Sequence, residues 1–422
     1  MSEDAGKGRH VVVVGAGIVG VACGLSLLRD GWRVTLIDRE GPGEGTSFGN
    51  GSVITADSVL PVAMPGLWRK VPGMLLDPLG PLRIRWGYLP QLAPWLLRFV
   101  AASSPERVEA ITAALGRLAD GAVEAYQPLA KLAGAEDMIR RSGWLCVYES
   151  EADFEAAAYR RDLQKRNGVK FDVLRPEEIR QREPKLAPIF KRAVYYPDTA
   201  HTINNYRFVQ VLADGLRRHG GQLLRERVTG FDLGAGANGG GVRAVLTEAG
   251  RHDCDAVVIA AGAWSRELCK QLGSDPPLDT ERGYHLTVCE PDLRPRLPVY
   301  STTRGIVCTP LEHGLRIAGT VELGGLEAPP DWRRAEVLMR HAQRWLPGLQ
   351  DKGTTRWMGF RPSMPDSLPV ISGSPRHANA YFAFGHGHCG LAYGARTGAL
   401  LADLMAGRAP AIDLAPFRID RF

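Results

Sequence analysis

Cysteine is scarce in this chain, and the cysteines present form no recognisable pattern. The 422 residues include seven cysteines, an odd number, and no two of them stand as Cys-x-x-Cys. A disulfide-framed secreted domain and a zinc-binding module both need paired or closely spaced cysteines. We therefore expect a reduced, intracellular protein that binds no metal. The cysteines are Cys23, Cys146, Cys254, Cys269, Cys289, Cys308 and Cys389.

Long apolar runs and basic runs are also missing. No stretch reaches the roughly 18 uninterrupted apolar residues of a membrane-spanning helix. The start of the chain is polar and lacks the apolar core of a signal peptide, so we expect a cytoplasmic protein. No basic run is interleaved with aromatic residues, so we expect no nucleic-acid partner. The modest net charge of +6 is compatible with anionic substrates or an anionic membrane surface.

The sequence does contain a predicted β-strand that leads directly into a glycine turn. A run of valines is followed by Gly15, Gly17 and Gly20 in the spacing Gly-x-Gly-x-x-Gly. The first glycine makes the tight turn, the second lets a pyrophosphate approach the backbone, and the third lets the next helix lie close to the sheet. That helix is predicted from residue 18 to about residue 29, and its N-terminus offers free N–H groups to phosphate.

A second predicted strand supplies the acidic residue that completes this pattern. Residues 34–37 are apolar except for one threonine and end in Asp38, whose carboxylate can bind ribose hydroxyls and would repel a 2′-phosphate. Strand, turn, helix, strand and acid occur in order within one βαβ unit, so we predict a bound adenine dinucleotide. The alternative is a glycine-rich turn that binds no ligand. The motif alone does not separate FAD from NAD.

Further small-residue stretches suggest that the chain returns to the same ligand. Residues 41–52 form a long loop suited to close backbone contact, although a flexible surface loop is the alternative. A buried strand at 256–259 runs into the small residues 260–264, and another glycine-rich turn spans 385–391. A buried strand that feeds a small-residue turn is typical of a nucleotide-binding sheet.

One segment has a different composition. Residues 88–100 are largely apolar and carry Trp95, with Arg83 and Arg85 just before them and Arg98 near their end. An apolar stretch of this kind can lie in a membrane interface. It can equally form a core helix or one wall of an active site, and the sequence leaves the three interpretations open.

A chain of this length, 45% hydrophobic and 23% charged, can form two domains with sizeable cores. Short strands concentrated in 283–349 predict an antiparallel sheet domain, inserted into a discontinuous first domain. The predicted strands are 142–148, 222–231, 242–246, 305–309 and 315–319. The predicted helices are 104–126, 151–166, 205–219, 331–345 and 395–405.

Taken together, these stretches resemble the D-amino-acid oxidase-type family of flavoproteins, and within it the D-amino-acid dehydrogenase branch. The matching segments follow the family's order from one end of the chain to the other, which makes the combination more specific than any one motif. They are the glycine turn at 15–20, Thr46–Asn50, Ala260–Ser265, Arg282–His285, Trp357–Asp366 and Gly385–His388.

The resemblance implies FAD as the cofactor and an α/β fold with α+β insertions. A Rossmann-type FAD-binding domain would carry an antiparallel-sheet substrate domain, as in p-hydroxybenzoate hydroxylase. We expect the FAD-binding domain to comprise 9–60, 200–268 and 353–422, and the substrate-binding domain to comprise 61–199 and 269–352.

The resemblance also implies which residues bind FAD. We expect the cofactor to be bound non-covalently, because residues 361–371 contain no cysteine and Cys389 lies in a different turn, where we expect it to pack. The expected cofactor-binding residues are Gly15, Ala16, Gly17, Ile18, Val19, Gly20, Asp38, Arg39, Thr46, Ser47, Asn50, Gly51, Val228, Ala261, Gly262, Trp264, Gly359, Gly387, His388, Gly390 and Leu391.

Three residues match positions that face the substrate in the family. Arg361 would bind the substrate carboxylate, because a planar guanidinium can grip a carboxylate with two hydrogen bonds. Tyr284 would donate another hydrogen bond to that carboxylate, and His285 would contact the amine or the side chain. The alternatives are a structural arginine that pairs with Asp366 or a backbone carbonyl, and a structural histidine. Hydride transfer requires no side-chain base, but His285, His386 and His388 are candidates if one exists.

The implied reaction is the oxidation of a D-amino acid by hydride transfer to flavin, with the electrons passed to a quinone or another acceptor. The branch often has Gly-Tyr-Ser where this chain has Gly283-Tyr284-His285, so the substrate could instead be a cyclic imino acid such as D-proline or D-hydroxyproline. Three alternatives remain open. They are an O₂-dependent oxidase of glycine, sarcosine or another N-methyl amino acid, a non-catalytic flavoprotein subunit, and an NAD-dependent dehydrogenase.

Overall fold

The fold consists of two large β-sheets with helices packed on them. The computed structural model describes residues 8–67, 73, 77, 79–234 and 240–422. Its strands, in chain order, are β1 (His10–Val14), β2 (Arg33–Asp38), β3 (Val53–Ile54), β4 (Leu82–Ile84), β5 (Ile139–Arg140), β6 (Trp144–Tyr148), β7 (Asp172–Leu174), β8 (Arg192–Tyr196), β9 (Ala200–Thr202), β10 (Gln222–Arg225), β11 (Val228–Leu233), β12 (Val242–Thr247), β13 (Arg251–Asp253), β14 (Ala256–Ile259), β15 (Asp279–Val288), β16 (Val299–Ser301), β17 (Ile306–Leu311), β18 (Gly314–Leu323), β19 (Thr355–Ser363), β20 (Val370–Gly373) and β21 (Ala380–Phe384).

The helices connect and cover these strands. In chain order they are α1 (Ile18–Arg29), α2 (Leu89–Ala101), α3 (Pro105–Ala119), α4 (Gln127–Ala133), α5 (Glu151–Ala156), α6 (Ala158–Arg166), α7 (Pro176–Arg182), α8 (Asn205–Arg218), α9 (Ser265–Gln271), α10 (Arg333–Trp345) and α11 (Gly390–Met405). Among the described residues, no helix combines the length and the apolar character that crossing a bilayer requires.

The first sheet is the predicted nucleotide-binding sheet. Its strands lie in the order β10-β2-β1-β14-β21-β20. All the neighbouring pairs up to β21 are parallel, and β20 joins the edge antiparallel to β21. Apolar side chains from both faces of β1 are buried, with α1, α8 and α11 packed on one side and α9 on the other. A strand covered on both faces needs a continuous apolar run, which explains the four valines at 11–14.

Glycines let the helices approach this sheet and each other closely. A Cβ atom on Gly20 would lie 1.9 Å from the carbonyl oxygen of Gly15, so only glycine fits where α1 meets the turn after β1. In α11, a Cβ atom on Gly398 would lie 2.6 Å from the carbonyl oxygen of Ala22. The two helices therefore pack backbone against backbone, and both of their N-termini are brought to the same edge of the sheet.

The second sheet is mostly antiparallel and is the predicted substrate-side sheet. Its strands follow the order β19-β15-β18-β17-β16-β6-β8-β7, with β4 paired to β18. One face carries an apolar cluster covered by α10, in which Trp345 is fully buried. The opposite face bears polar and aromatic side chains, because residues alternate along each strand. The predicted antiparallel sheet domain is therefore present.

Several sequence predictions agree with these elements, and others were wrong at their ends. Helix α1 has the predicted bounds. The predicted helix 151–166 is broken at Ala157 into α5 and α6. The predicted helix 104–126 ends at Ala119, and the predicted helix 395–405 begins earlier, at Gly390.

The predicted strand 222–231 was wrong, because the chain turns in its middle. Strand β10 joins the nucleotide-binding sheet, whereas β11 pairs with β12 in a separate small sheet. Backbone hydrogen bonds fix the turn, with Glu226 N donating to Asp38 O at 2.8 Å and Glu248 N donating to Arg227 O at 3.1 Å. These partners are distant in sequence, so the local pattern did not reveal the break.

The division into two domains stays a prediction at the level of its boundaries. Strands of the first sheet come from three separate parts of the chain, as a discontinuous domain requires. Strand β19 falls within the expected FAD-binding segment 353–422, but it pairs along its whole length with β15 of the second sheet.

Candidate active site

A long cleft runs along the edge of the nucleotide-binding sheet, and the N-termini of α1 and α11 both line it. Gly17 caps α1 and Cys389 caps α11, and neither position supplies a side-chain cap. Free backbone N–H groups and the positive ends of two helix dipoles therefore meet one cleft. Both N-termini line the same continuous surface, which also includes the edge of the nucleotide-binding sheet.

Most of the expected cofactor-binding residues line this cleft. Those that do are Gly15, Gly17, Ile18, Val19, Asp38, Arg39, Thr46, Ser47, Asn50, Val228, Ala261, Gly262, Trp264, Gly387, Gly390 and Leu391. They come from separate stretches of the sequence, and only the folded sheet brings them together.

The remaining expected residues lie next to the cleft without lining it. Ala16 donates its N–H to Asp38 Oδ2 at 2.6 Å, and Gly20 packs on Gly15. The carbonyl of Gly51 accepts a hydrogen bond from Thr309 Oγ1 at 2.8 Å. Gly359 and His388 lie farther along, toward the second sheet. A Cβ atom on Gly359 would lie 1.9 Å from the ring of Trp357.

The adenine half of a dinucleotide would meet Asp38 and an aromatic wall. Asp38 sits at the end of β2, where burial raises the pKa of its carboxyl group, although hydrogen bonds from Ala16 and Glu40 oppose this. The guanidinium of Arg39 lies 3.9 Å from the ring centroid of Trp264, a cation–π contact. Trp264 in turn packs edge-on against Phe360.

These features fit an FAD molecule. Two helix N-termini whose own N-cap residues supply no side-chain cap lie on one cleft, and this matches a ligand that carries a pyrophosphate in its middle and a polar ring system at one end. Glycine at position 17 keeps the approach to α1 open, since a Cβ atom there would already lie 3.3 Å from Ser47 Oγ. Ser47 Oγ accepts the N–H of Ile18 at 2.9 Å, which ties the loop 46–52 to the start of α1.

Two buried side chains that the sequence analysis missed hold the loop 46–52 in place. Asn205, at the start of α8, donates to the carbonyls of Ser47 and Phe48 and accepts from Ser52 Oγ at 2.7 Å. Arg316, on β18, donates to Phe48 O at 3.0 Å, to Asn50 O at 2.9 Å and to Asn205 Oδ1 at 2.7 Å. No local signal could have identified them, because their partners lie far away in sequence.

Arg361 lies at the second-sheet side of the cleft, on β19. Its Nη1 donates to Thr320 O at 3.0 Å and its Nη2 to Gly319 O at 3.4 Å. The side chain crosses over Gly283, where a Cβ atom would lie 2.3 Å from Nη2. Thr320 has a left-handed backbone, with φ of 56°, at an irregularity in the pairing of β15 and β18. This bulge turns its carbonyl toward the guanidinium.

The charge of Arg361 has no carboxylate partner at ion-pair distance within the part of the chain that the structure describes. Burial lowers the pKa of Arg361, and the nearby carboxylate of Glu281 opposes that shift. Of the structural alternatives, pairing with Asp366 is ruled out, because Asp366 binds Arg421 at 2.8 Å instead. The other alternative, hydrogen bonds to backbone carbonyls, is present at Thr320 and Gly319. The hydrogen bonds of this guanidinium go to neutral carbonyls, which leave its positive charge without an opposite charge at ion-pair distance.

Comparison with known proteins agrees with this geometry. Residues 10–404 match the family described as FAD dependent oxidoreductase. The chain belongs to this family. It is an FAD-dependent oxidoreductase, and its fold is the family's fold.

Two relatives span the whole chain. A D-amino-acid oxidase of Bradyrhizobium diazoefficiens is 42% identical over 99% of both chains. D-amino acid dehydrogenase 2 of Ralstonia nicotianae is 34% identical over 98% of this chain and 100% of its own length. Among solved structures, glycine oxidase from Geobacillus kaustophilus superposes with a TM-score of 0.73 at 22% identity, covering 98% of this chain and 99% of that one. At this low identity, the similarity to glycine oxidase shows a shared fold and nothing more.

The expectation that Tyr284 faces the substrate is corrected by the structure. Tyr284 lies on the face of β15 opposite to Gly283, is 1% exposed, and packs edge-on against Trp332 under α10. Its hydroxyl donates to Glu322 Oε2 at 2.5 Å and accepts the N–H of Asp331 at 3.0 Å. Because side chains alternate along a strand, Tyr284 and Arg361 project from opposite faces of the sheet. Burial, together with Glu322, raises the pKa of Tyr284 to about 12.

His285 lies on the cleft side of β15 but is enclosed by aromatic rings. It stacks on Trp357 at a centroid distance of 5.1 Å and on Phe48 at 6.4 Å. A ring nitrogen, Nδ1, is 3.1 Å from the carbonyl of Gly49, and the side chain is 2% exposed. Burial lowers its pKa well below the usual value, so the ring is neutral. This arrangement supports the loop 46–52, and a role in catalysis stays a prediction.

The two histidines of the turn at 385–391 differ in their surroundings. His386 is buried, and its Nε2 lies 2.9 Å from Thr397 Oγ1 of α11. Burial lowers the pKa of His386 to about 3. His388 has an exposed side chain, and its carbonyl accepts a hydrogen bond from Asn50 Nδ2 at 3.3 Å.

Gly15→Ala is expected to weaken FAD binding. Gly15 has φ of +110°, and a Cβ atom would lie 2.4 Å from the carbonyl oxygen of Ala260. Backbone strain of this kind costs on the order of 1–3 kcal/mol, so FAD affinity should fall at least about tenfold. Flavin absorbance after dialysis measures the retained cofactor, and circular dichroism checks the fold. Gly87→Ala is the matched control, because a Cβ atom there meets nothing within 4 Å. Full FAD retention in Gly15→Ala would contradict this assignment.

His386→Gln is expected to change how stability depends on pH. The pKa of His386 is about 3 in the folded protein and 6.5 as the usual value, so between these values the unfolded chain binds a proton that the native protein does not. The contribution of His386 to the free energy of unfolding of the wild type is fully present above about pH 6.5. It decreases as the pH falls, by about 1.4 kcal/mol per pH unit. The cost of the substitution should therefore be about 2 kcal/mol smaller near pH 5 than near pH 7. Urea unfolding at both pH values measures it, and an unchanged cost would refute the buried neutral state.

Proposed function

We propose that this protein oxidises D-amino acids, or cyclic imino acids such as D-proline and D-hydroxyproline. The observation that carries the proposal is the guanidinium of Arg361, which lies beside the cleft without a carboxylate partner among the described residues. An α-carboxylate is the group that such a site recognises best, since it can accept two parallel hydrogen bonds from one arginine. The names of the two full-length relatives, an oxidase and a dehydrogenase of D-amino acids, support the same substrate class.

Each protein group has a definite task in this proposal. Arg361 binds the carboxylate, and its carbonyl partners Thr320 and Gly319 keep the guanidinium plane fixed before the substrate arrives. Gly283 leaves room beneath it. Bound FAD supplies the acceptor for the hydride that leaves the α-carbon. The N-terminus of α11 stabilises negative charge at that end of the cleft. An imine product hydrolyses to a 2-oxo acid, or remains as a cyclic imine when the substrate is a ring.

We further propose that FAD is held without a covalent bond. The cysteine in the turn beside the cleft is Cys389, which is 9% exposed and packs with Tyr393 beneath the start of α11. In this proposal, hydrogen bonds from the N-termini of α1 and α11 provide the affinity for FAD. Release of intact FAD from acid-denatured protein would support it.

Arg361→Ala is expected to raise the KM for a D-amino acid by about 30- to 1,000-fold with FAD still bound. A buried, charge-assisted contact to the substrate is worth about 2–4 kcal/mol, which sets the expected rise in KM. Arg361 does not line the adenine half of the cofactor cleft, so its loss should leave FAD bound. Anaerobic flavin bleaching at increasing substrate concentration measures this effect. Arg361→Lys should recover only part of the loss, because lysine cannot donate in the same fork geometry.

Arg356→Ala provides the matched control for this experiment. Arg356 lies on the same strand, β19, but it is exposed and pairs with Glu336 at 3.4 Å. Its removal should leave KM within about twofold of the wild type. An unchanged KM in Arg361→Ala would refute the assignment of the carboxylate site. A flavin that no D-amino or imino acid bleaches would point instead to the non-catalytic alternative.

For the electron acceptor we propose a quinone that is reached at a membrane surface. The observation behind this is a set of exposed apolar side chains, those of Trp86, Leu97 and Val100, which are 61%, 73% and 50% exposed. Two of these residues lie on α2, the helix formed by the apolar stretch of the sequence. Exposed aliphatic and tryptophan side chains next to Arg98 suit an interface with anionic lipid. The inner face of α2 packs through Leu92 and Trp95, so the helix is amphipathic.

A double variant, Leu97→Glu with Val100→Glu, is expected to bind anionic vesicles at least about tenfold more weakly than the wild type. Co-sedimentation with phosphatidylglycerol vesicles measures binding, and reduction of a soluble quinone should be unaffected. Gln91→Glu, at an exposed position of the same helix, controls for added charge. If the wild type fails to bind vesicles, the membrane contact is wrong. Hydrogen peroxide formed in step with substrate consumption would favour the alternative, an O₂-dependent oxidase of D-amino acids, glycine or sarcosine.

A further inference from the structure

We propose that Glu281 binds the ammonium group of the substrate, and that Ser363 keeps this carboxylate apart from Arg361 so that it stays available. The inference rests on the proposed function and deepens it, because it names the residue that distinguishes an amino or imino acid from other carboxylates.

Glu281 and Arg361 lie directly opposite each other on one face of the second sheet. Strands β15 and β19 are antiparallel, and Glu281 is the partner of Arg361 in their register. Side chains alternate along β15, and Tyr284 belongs to the face that α10 covers. Glu281 and Gly283 therefore belong to the other face, where the guanidinium of Arg361 crosses over Gly283. The Cβ atoms of two directly opposite residues are about 4.5–5.5 Å apart.

These two opposite charges do not pair with each other. The guanidinium of Arg361 turns toward β18, where the carbonyls of Thr320 and Gly319 accept its hydrogen bonds at 3.0 Å and 3.4 Å. The carboxylate of Glu281 instead accepts a hydrogen bond from Ser363 Oγ at 2.6 Å. Opposite charges at facing positions of a sheet ordinarily attract. Here their separate hydrogen-bond partners keep a positive and a negative group apart on the same face.

Ser363 is itself fixed at the border of the cofactor cleft. Its carbonyl accepts a hydrogen bond from Trp95 Nε1 of α2 at 3.2 Å, and its backbone forms an isolated bridge with His386. Gly387 N also donates to Pro362 O at 2.7 Å. His386, Gly387 and Pro362 all line the cleft. The hydroxyl that binds Glu281 therefore has a defined position beside the cleft wall.

One oxygen of the Glu281 carboxylate is left for a ligand. Oε1 is bound to Ser363, whereas Oε2 has no hydrogen-bond partner in the part of the chain that the structure describes. The residue is 6% exposed, and Oε2 is not enclosed completely, in contrast to Oε2 of Glu183, which is buried without a partner. An ionised carboxylate oxygen in this position can accept a hydrogen bond from an ammonium group.

The arrangement fits a zwitterion. An α-amino acid carries its carboxylate and its ammonium group on the same carbon atom, so a substrate that is bound to Arg361 brings its positive charge toward the facing strand. The ammonium group then donates a charge-assisted hydrogen bond to Glu281 Oε2. A 2-hydroxy acid or an N-acylated amino acid has no positive charge and would cover this carboxylate without pairing it, which is costly. Arg361 thus selects the carboxylate of the substrate, and Glu281 selects its amine.

The decisive variant is Glu281→Gln in the FAD-loaded protein, reduced with dithionite under anaerobic conditions. The reduced protein binds D-amino acids without oxidising them, so calorimetry measures affinity alone. Each amine is compared with an analogue that lacks it, D-proline with tetrahydrofuran-2-carboxylate and D-alanine with propanoate. Glutamine keeps an oxygen acceptor for Ser363 Oγ but loses the charge. The affinity for the amine should fall about 10- to 100-fold, and that for the analogue should stay within about threefold of the wild type.

Glu336→Gln is the matched control. Glu336 lies on α10, is exposed, and pairs with Arg356 at 3.4 Å. Its replacement removes one carboxylate from the same half of the molecule and should change none of these affinities by more than about twofold.

Ser363→Ala tests whether Ser363 keeps the two charges apart. Without the hydroxyl, the carboxylate of Glu281 is free to approach Arg361 and to compete with the ligand, so the affinity for tetrahydrofuran-2-carboxylate should fall about tenfold. The double variant of Ser363→Ala with Glu281→Gln should recover to within about threefold of the wild type, because the competing charge is gone. A misfolded protein would not recover in this way. A loss that the second substitution does not restore, or no loss at all, would overturn the role of Ser363.

The outcomes separate this inference from the function on which it rests. If neither D-proline nor D-alanine bleaches the oxidised wild-type flavin, both fall. If either one bleaches it and Glu281→Gln weakens the amine and its analogue equally, or weakens neither, only the assignment of Glu281 falls. The carboxylate site at Arg361 would then stand.

Discussion

The buried guanidinium of Arg316 connects the two halves of this molecule. It extends from the second sheet to the carbonyls of Phe48 and Asn50, and it shares Asn205 with the start of α8. Burial lowers the pKa of Arg316 to about 10, so it remains charged at neutral pH, and its charge is compensated by oxygen dipoles. A buried charge without partners would be costly. The carbonyls of Phe48 and Asn50 must therefore point at Arg316, and this fixes the position of the loop 46–52. That loop is the shared wall between the nucleotide-binding sheet and the substrate side.

Around this connection, the site is built from backbone more than from side chains. Glycines let α1 and α11 bring their N-termini to one cleft, and Gly283 lets Arg361 lie flat against β15. The left-handed residue Thr320 directs a carbonyl at the same guanidinium, and its own Oγ1 is buried without a partner among the described atoms. Local strain at such a position is tolerated because the surrounding sheet determines it, and it is typical of binding sites.

The fold was predictable from the sequence wherever local pattern and tertiary contact agree. The valine strand, the glycine turn and α1 form one βαβ unit whose signals lie within a few residues of each other. The stretch 222–231 was predicted as one strand, yet it divides into two strands because Asp38 O and Glu248 N form hydrogen bonds with the backbone at its middle. The start of α11 was missed for a related reason. Its first two turns contain Gly390 and Gly394, which local propensity disfavours, and a Cβ atom on Gly394 would lie 3.0 Å from the hydroxyl of Tyr126.

The sequence by itself determined that this chain binds a dinucleotide, and its resemblance to flavoproteins identified FAD and predicted that Arg361 binds a carboxylate. Tertiary structure decided which side chains share the cleft. Adjacent residues of a strand face opposite sides, so Tyr284 became a buried partner of Glu322 while Gly283 lies under Arg361. Asn205, Arg316 and Glu281 carry no motif, because their roles arise from partners that only the folded sheets bring within hydrogen-bonding or electrostatic range.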